Sequence, residues 1–234
     1  MSLQNELLKK FYIIKTSPLF ADMAEAEIEE FLFNAGCHFK TYEKNEIIFT
    51  AGSKANKFGI ILSGLVFYYR EDFEGNRNLL LELEAPITIC EVFPFSEEEV
   101  IVVNVMAKTK TEILYFDTYK ANKYCEDSSN VSCHKICKNL IKIIVKKYLG
   151  LTVRAEHLMR LSLRKKIMSY LSEWSMRTNS NTFEIPLNRQ ELADYLYADR
   201  SAVSAELSKM QKDGIITYKK NYFEILIQKE NKPK

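Results

Sequence analysis

The strongest constraint on the fold is a pattern of two short helices and a hairpin near the C-terminus, in the run NRQELADYLYADRSAVSAELSKMQKDGIITYKKNYFEILI. Asn188 can cap the first helix, and Glu191 stands where it can complete a capping box. Asp199 can cap the second helix, and Gly214 predicts its end. Two β-rich segments follow. A short helix, a tight turn, a longer helix and a hairpin together predict a winged helix-turn-helix.

The second of these helices, in DRSAVSAELSKM, has an unusual polar face. Val203, Leu207 and Met210 would be buried, while the other side offers one arginine and several small residues. The second helix of a helix-turn-helix enters the major groove of DNA, where its first residues meet base edges. An arginine there can reach O6 and N7 of guanine together. The predicted base-reading face consists of Arg200, Ser201, Ser204, Ala205 and Ser208.

Contacts with the DNA backbone are predicted from two other parts of the same unit. Polar residues at the start of the first helix and lysines at the hairpin tip can bind phosphate groups. These residues are Asn188, Arg189, Gln190, Lys219 and Lys220. An alternative is that the two helices contact another protein, which explains the buried apolar face but not the small-residue face.

The charge is divided unevenly along the chain. The net charge is +2, yet residues 1–100 hold 9 Lys and Arg against 17 Asp and Glu, and residues 101–234 hold 24 against 14. A basic second half suits a polyanionic partner, although a solvated basic helix would give the same excess.

The first half has a β-rich pattern. Between Gly36 and Phe116, short segments such as EIIFT, GIILS, LVFYYR and VIVVNVMA alternate with turn signals such as AGSKAN and FEGN. Strands at this short spacing predict a β-sandwich or barrel. Residues 18–33 precede it and predict a short amphipathic helix opened by Pro18. The predicted fold class is therefore α+β.

The segment NVSCHKICKNLIKIIVKKYLGL follows the β-rich region and predicts a long helix with one apolar seam. A matching helix from a second copy is the simplest partner for that seam, although packing on the chain's own β domain would also cover it. We therefore predict a homodimer. The seam is assigned to Cys133, Cys137, Leu140, Ile144 and Leu151.

Taken together, these motifs resemble the cyclic-AMP-receptor/FNR (Crp/Fnr) family of bacterial transcription regulators. The resemblance lies in SPLF, in YEKNEIIFTAGSKANKFGIILSGLVFYYREDFEGNRNLLLELE and, most specifically, in NRQELADYLYADRSAVSAELSKMQKDGII. It implies a double-stranded β-roll sensor domain like those that bind cyclic nucleotides (residues 1–124), a dimerisation helix (125–155) and a winged helix-turn-helix (156–234). It also implies a double-stranded DNA operator and a small-molecule effector whose binding re-aims the two readers, with RNA polymerase as a further partner in activation.

The effector site departs from the family's nucleotide-binding members, which carry a phosphate cassette of glycines, a glutamate and an Arg-Ser/Thr pair. Glu91 remains, but Pro86 and Cys90 stand at glycine places, and Ile101 and Val102 stand at those of the Arg-Ser pair. A phosphate buried among aliphatic side chains would lack partners. We therefore expect no cyclic nucleotide binding, and a pocket at Cys90, Glu91, Ile101 and Val102 that takes an apolar molecule or is filled by side chains.

Two other carry-overs from the family are altered. Many relatives place a second arginine where Ala205 stands, so we expect a different target sequence with one G·C contact per half-site from Arg200. Oxygen-sensing members hold an iron–sulfur centre with cysteines near the N-terminus, and this chain has no cysteine before Cys37.

A different cysteine group lies at the start of the long helix. Cys125, Cys133 and Cys137, with His134, could ligate a metal or form a disulfide between subunits. Small apolar residues in a helix seam are the simpler interpretation, and in a cytosolic protein most thiols stay reduced. No metal or other cofactor is therefore predicted.

Several functional classes are disfavoured. The segment MSLQNELLKKFYIIK has no signal-peptide pattern, and no apolar run is long enough to span a membrane, so a cytoplasmic protein without a membrane partner is expected. No catalytic motif is present, and the β-rich region has only His38 for a cupin-like metal site. The prediction is a homodimeric regulator, not an enzyme. The alternative is a small-molecule or redox sensor with a degenerate DNA reader that acts through protein partners.

Overall fold

The computed structural model describes residues 3–71, 75, 77–92, 100–126 and 130–226. The chain divides into two compact units. The first contains residues 1–70 and 80–149, and the second contains residues 71–79 and 150–234. In the part of the chain that the structure describes, no helix is both long enough and apolar enough to cross a bilayer.

Three short helices of the first unit lie before and after its strands. These are α1 (Leu3–Lys15), α2 (Glu25–Asn34) and α3 (Thr118–Tyr124), with a short 3-10 turn at Pro18–Phe20. The single helix predicted over residues 18–33 is therefore wrong. Asp22 adopts a left-handed backbone conformation with φ of 62°, which ends the first turn before α2 begins. Helix α1 lies outside the predictions made from the sequence.

Two antiparallel sheets lie between α2 and α3 in the sequence. Their strands are β1 (His38–Tyr42), β2 (Ile47–Phe49), β3 (Lys57–Ser63), β4 (Leu65–Glu71), β5 (Arg77–Glu84), β6 (Ile87–Ile89), β7 (Asn104–Ala107) and β8 (Thr111–Asp117). One sheet has the order β1-β8-β3-β6 and the other β2-β7-β4-β5. Most strands that are neighbours in a sheet are not consecutive in the sequence. This arrangement of the two sheets is the β-roll that was predicted.

The sheet that contains β3 is buried on both faces. Phe58 and Ile60 pack into a core shared with α1, α2 and Phe116. Ile61, the neighbour of Ile60, packs into a second core between the sheets, with Tyr115. Alternate residues of a strand point to opposite faces, so an uninterrupted apolar strand serves both cores.

A single 28-residue helix, α4 (Val131–Leu158), follows the roll. Cys133, Ile136 and Ile143 are buried, and Leu140 packs beside them against the core of the first unit. Asn139 donates from Nδ2 to the carbonyl oxygens of Leu19 and Ala21, at 3.0 and 2.8 Å. One face of this helix is thus committed to its own β-roll.

The second unit is the winged helix-turn-helix. Its elements after α4 are α5 (Leu163–Thr178), β9 (Thr182–Glu184), α6 (Arg189–Leu196), α7 (Arg200–Lys212), β10 (Ile216–Lys219) and β11 (Tyr222–Ile225). Asn188 and Glu191 form the predicted capping box, and the turn between α6 and α7 passes through Tyr197 with φ of 50°. Asp199 occupies the N-cap of α7, but its side chain accepts no capping hydrogen bond. The strands order as β10-β11-β9.

Candidate nucleic-acid interface and effector site

Helix α7 buries one face and exposes the other, which carries mostly small side chains. Val203, Leu207 and Met210 are fully buried, whereas Arg200 is exposed at the first helical position. Ser204 donates its hydroxyl hydrogen to the Arg200 carbonyl oxygen at 2.9 Å, and Ser208 donates to that of Ser204 at 3.0 Å. Because both hydroxyls bond to carbonyl oxygens of their own helix, the side chains protrude little from α7. A binding partner can therefore approach the helix backbone closely.

A cleft of about 760 Å³ lies between the start of α6, the start of α7 and the wing formed by β10 and β11. The predicted DNA-contacting residues that line it are Asn188, Arg189, Arg200, Ser204, Lys219 and Lys220. Glu184, Asn221 and Tyr222 also line it and were missed from the sequence. Ser201, Ala205 and Ser208 lie exposed on α7, and Gln190 lies exposed on α6, outside this lining.

Arg189 has a role that its position in the sequence did not predict. Its guanidinium lies over the rings of Tyr218 and Phe223, at 5.1 and 5.8 Å from their centroids, and donates to the Lys220 carbonyl oxygen at 3.3 Å. Burial lowers the pKa of Arg189, and the nearby Arg200 lowers it further. Arg189 therefore holds the wing against α6, and Lys220 remains exposed at the wing turn.

Arg164 of α5 fixes the orientation of α7. Its Nη1 lies 2.7 Å from Asp213 Oδ2, and its Nε donates to Glu206. The hydrogen bond to Glu206 raises the pKa of Arg164 most, and the hydrogen bond to Asp213 also raises it. The acidic side chain of the reading helix is thereby paired and held away from the cleft. Sequence reasoning missed this pair, because 42 residues separate its members.

The last turns of α4 are tied to α6 by a buried polar cluster within the second unit. Arg154 Nη2 donates to the Tyr195 carbonyl oxygen at 3.0 Å, and its guanidinium lies 4.4 Å from the centroid of the Tyr195 ring. His157 Nδ1 lies 3.2 Å from Tyr195 Oη, and its Nε2 lies 3.5 Å from Glu173. Burial lowers the pKa of His157. The end of α4 is therefore part of the second unit.

At the predicted effector site in the roll, the Cys90 N–H and the Glu91 carboxylate are already paired, whereas the buried Thr88 hydroxyl has no hydrogen-bond partner among the described residues. Cys90 adopts φ of 59°, the left-handed conformation that a glycine would take, and its N–H donates to Tyr68 Oη at 2.9 Å. Glu91 is 3% exposed, and Lys147 Nζ donates to its carboxylate at 2.6 Å and to the Thr88 carbonyl oxygen at 2.7 Å. Burial raises the pKa of the Cys90 thiol to about 12. Protein groups thus occupy two of the polar groups that a ligand would use here, the Cys90 N–H and the Glu91 carboxylate.

Ile101 is fully buried in the inter-sheet core, as an apolar lining requires, but Val102 is 44% exposed. Val102 therefore lies at the surface of the roll rather than in its core. Its carbonyl oxygen accepts a hydrogen bond from Arg70 at 3.3 Å.

The seam on α4 also needs correction. Cys133 and Leu140 face the roll, so they do not belong to an exposed seam. The exposed apolar positions follow a regular spacing of four and three residues, typical of a coiled coil. These positions are Cys137, Ile141, Ile144, Tyr148, Leu151 and Ala155. Three of the five residues first assigned to the seam, namely Cys137, Ile144 and Leu151, remain in it.

The cysteines at the start of α4 form a bond within the chain. Cys125 and Cys133 are joined in a disulfide with their Cα atoms 5.3 Å apart. The sequence predicted mostly reduced thiols, and this one bond within the chain was not among its predictions. Cys37 and Cys90 are free and buried, and Cys137 is free and exposed. Among the described residues, no group of His, Cys, Asp and Glu side chains could hold a metal ion.

The fold and the cleft define a class of protein: a transcription regulator with a β-roll sensor domain, a long connecting helix and a winged DNA reader. Family models support both ends. The cyclic nucleotide-binding domain matches residues 39–128, and the Crp-like helix-turn-helix domain matches residues 165–232. The two matches span about two thirds of the sequence. The chain belongs to the Crp/Fnr family of DNA-binding transcription regulators.

Solved structures share this fold. CLP, a c-di-GMP-responsive global regulator from Xanthomonas campestris, superposes with a TM-score of 0.75 at 20% identity, over 88% of this chain and 100% of its own. FixK2 from Bradyrhizobium japonicum has a TM-score of 0.64 at 16% identity, over 81% and 92%. A Crp/Fnr family regulator from Eubacterium rectale has a TM-score of 0.64 at 19% identity, over 91% and 94%. No curated protein matches the sequence significantly.

Proposed function

We propose that the protein is a homodimeric regulator that binds a pseudo-palindromic operator through Arg200 and is not controlled by cyclic AMP. The observation that carries this proposal is the cleft in which Arg200, Lys219 and Lys220 converge with the start of α6. A guanidinium at the first turn of α7 suits a guanine edge, and two lysines on the wing suit the phosphates beside it. We place the protein in the cytoplasm and assign it no enzymatic activity.

The exposed seam of α4 supports the dimer. Ile141 is 62% exposed and Tyr148 is 67% exposed, although both are large and apolar. An apolar stripe at heptad spacing is covered most simply by the same stripe of a second copy, related by a two-fold axis. Two readers would then face DNA half-sites whose centres lie about 34 Å apart. Such a dimer could act by contacting RNA polymerase or by blocking it.

Specific binding should show the salt dependence of a phosphate contact. The wing lysines and the start of α6 would displace counterions from each half-site. We expect the affinity of the wild-type protein for its selected operator to fall by roughly 10³-fold or more between 50 and 200 mM salt. Fluorescence anisotropy with labelled duplex measures this. An affinity that is unchanged over that range would contradict a phosphate-contacting interface.

The roll supports independence from cyclic nucleotide. The N–H of Cys90 is taken by Tyr68, the carboxylate of Glu91 is taken by Lys147, and the aliphatic Ile101 stands where an anion would need a cation. Isothermal calorimetry with cyclic AMP is therefore expected to give no binding heat at micromolar concentrations, because a buried phosphate would be left without partners. Micromolar affinity with one site per chain would overturn this part of the proposal.

A further inference from the structure

Lys147 makes a polar contact between α4 and the roll. Nearer the start of the helix, the roll-facing side is held by Asn139 and by apolar residues up to Ile143, one turn before Lys147. The next residues, beginning with Tyr148, are exposed. The Lys147 side chain is 15% exposed and its partner carboxylate is 3% exposed, so this ion pair lies at the point where α4 leaves its domain.

We infer that this buried pair specifies geometry more than it stabilises the fold. Removing two charges from water costs most of what their attraction returns, and the best-attested use of buried polar pairs is to fix register. Lys147 donates to two acceptors, Glu91 and the Thr88 carbonyl oxygen. These two hydrogen bonds together fix the position of its ammonium group. Ile144 and Tyr148 of the exposed seam flank Lys147 in the sequence. Lys147 therefore adds a polar anchor, beyond the contacts of Asn139 and Ile143, that helps to fix which way the seam faces.

We propose that Lys147 is a positioning residue that acts as an internal ligand of the roll, setting the rotation of α4 so that the protein reads DNA without any added small molecule. This inference rests on the proposed function, since its readout is DNA binding. The ammonium group of Lys147 belongs to the chain itself and is paired with the Glu91 carboxylate at the predicted effector site. No diffusible molecule is then needed to connect the roll with the dimer seam.

The test compares Lys147→Met with Lys146→Met, which removes the same charge from the neighbouring, exposed position of the same helix. DNA affinity is measured by anisotropy and subunit association by light scattering, without added effector. We expect Lys147→Met to lower operator affinity at least tenfold while the protein stays dimeric, and Lys146→Met to change it less than twofold. Unchanged or tighter DNA binding by Lys147→Met overturns the proposal.

A double variant in which both members of the ion pair are neutral distinguishes a loss of helix positioning from a loss of folding. Lys147→Met alone leaves Glu91 buried and unpaired, whereas Glu91→Gln combined with Lys147→Met leaves no buried charge. The double variant is expected to unfold cooperatively on heating. Its DNA affinity should equal that of whichever single variant, Glu91→Gln or Lys147→Met, binds DNA more weakly, because each substitution removes the same ion pair. Losses that multiply, or full DNA binding by the folded double variant, contradict the proposal.

Chemical rescue adds a readout that a general packing defect would not give. In Lys147→Ala, propylammonium at tens of millimolar should restore at least half of the lost operator affinity, and the same concentration of tetramethylammonium, which cannot donate hydrogen bonds, should not. Equal effects of the two ions overturn the proposal. If the wild-type protein selects no DNA at all, the proposed function fails, whereas normal binding by every Lys147 variant sinks only this inference.

Discussion

Replacing Ile141 with glutamate is expected to convert the protein to a monomer and to weaken operator binding at least 100-fold. Ile141 is the second position of the exposed seam and is 62% exposed, so the isolated chain should tolerate a charge there. In a dimer the two carboxylates would meet across an apolar interface without partners. Loss of the second reader removes the gain of 10²–10⁴ that linked binding typically provides. Light scattering and anisotropy measure the two effects.

The control for this variant is Lys142→Glu. Lys142 is the next residue, is exposed, and lies outside the seam spacing. It changes the charge by more than Ile141→Glu does, yet it should leave the mass of the particle and its operator affinity nearly unchanged. A dimer that survives Ile141→Glu, or that is lost equally with Lys142→Glu, would show that α4 does not form the interface.

Replacing Arg200 with alanine is expected to remove sequence preference while leaving much of the nonspecific affinity. One bidentate arginine–guanine contact contributes about 1–3 kcal/mol of discrimination, so two half-sites together lose about 2–6 kcal/mol. The lower end is roughly a 30-fold loss of specific affinity. Binding to nonspecific DNA depends mainly on phosphate contacts, and we expect it to fall by only a fewfold. Competition between operator and random duplex measures the ratio.

Lys212→Ala serves as the matched control, because Lys212 is a cation in the last turn of the same helix. This variant removes the same charge and should keep the sequence preference of the wild-type protein. If Arg200→Ala still prefers the operator as strongly as Lys212→Ala does, another residue reads the bases.

The DNA reader could be predicted from the sequence because its signals are local. The capping box of Asn188 and Glu191 spans four residues, and the buried face of α7 repeats within one short helix. Each signal identifies an element without reference to the rest of the fold. The exposed Arg200 follows directly from that assignment.

The exposed seam of α4 could be predicted only in part, because α4 is apolar on two faces. Cys133 and Leu140 face the roll, while Cys137 and Ile144 face away from it. Spacing alone cannot tell which apolar stripe the β domain covers. Only the placement of the helix on the folded roll separates the two.

The contacts that orient the elements could not be predicted, because they join distant parts of the sequence. Lys147 and Glu91 are 56 residues apart, and Arg164 and Glu206 are 42 apart. A charged residue in a sequence carries no mark of its partner. The same holds for Cys125 and Cys133, whose spacing in the sequence is compatible with free thiols, a metal site or a disulfide.

The most direct test is selection of bound duplexes from a random DNA pool by the wild-type protein without added ligand. We predict that the enriched sites are inverted repeats with half-site centres about 10–10.5 base pairs apart, each with a G·C pair at the same position. Enrichment of single, unpaired half-sites, or no enrichment over nonspecific binding, would contradict a pair of arginine-tipped helices held at a fixed distance.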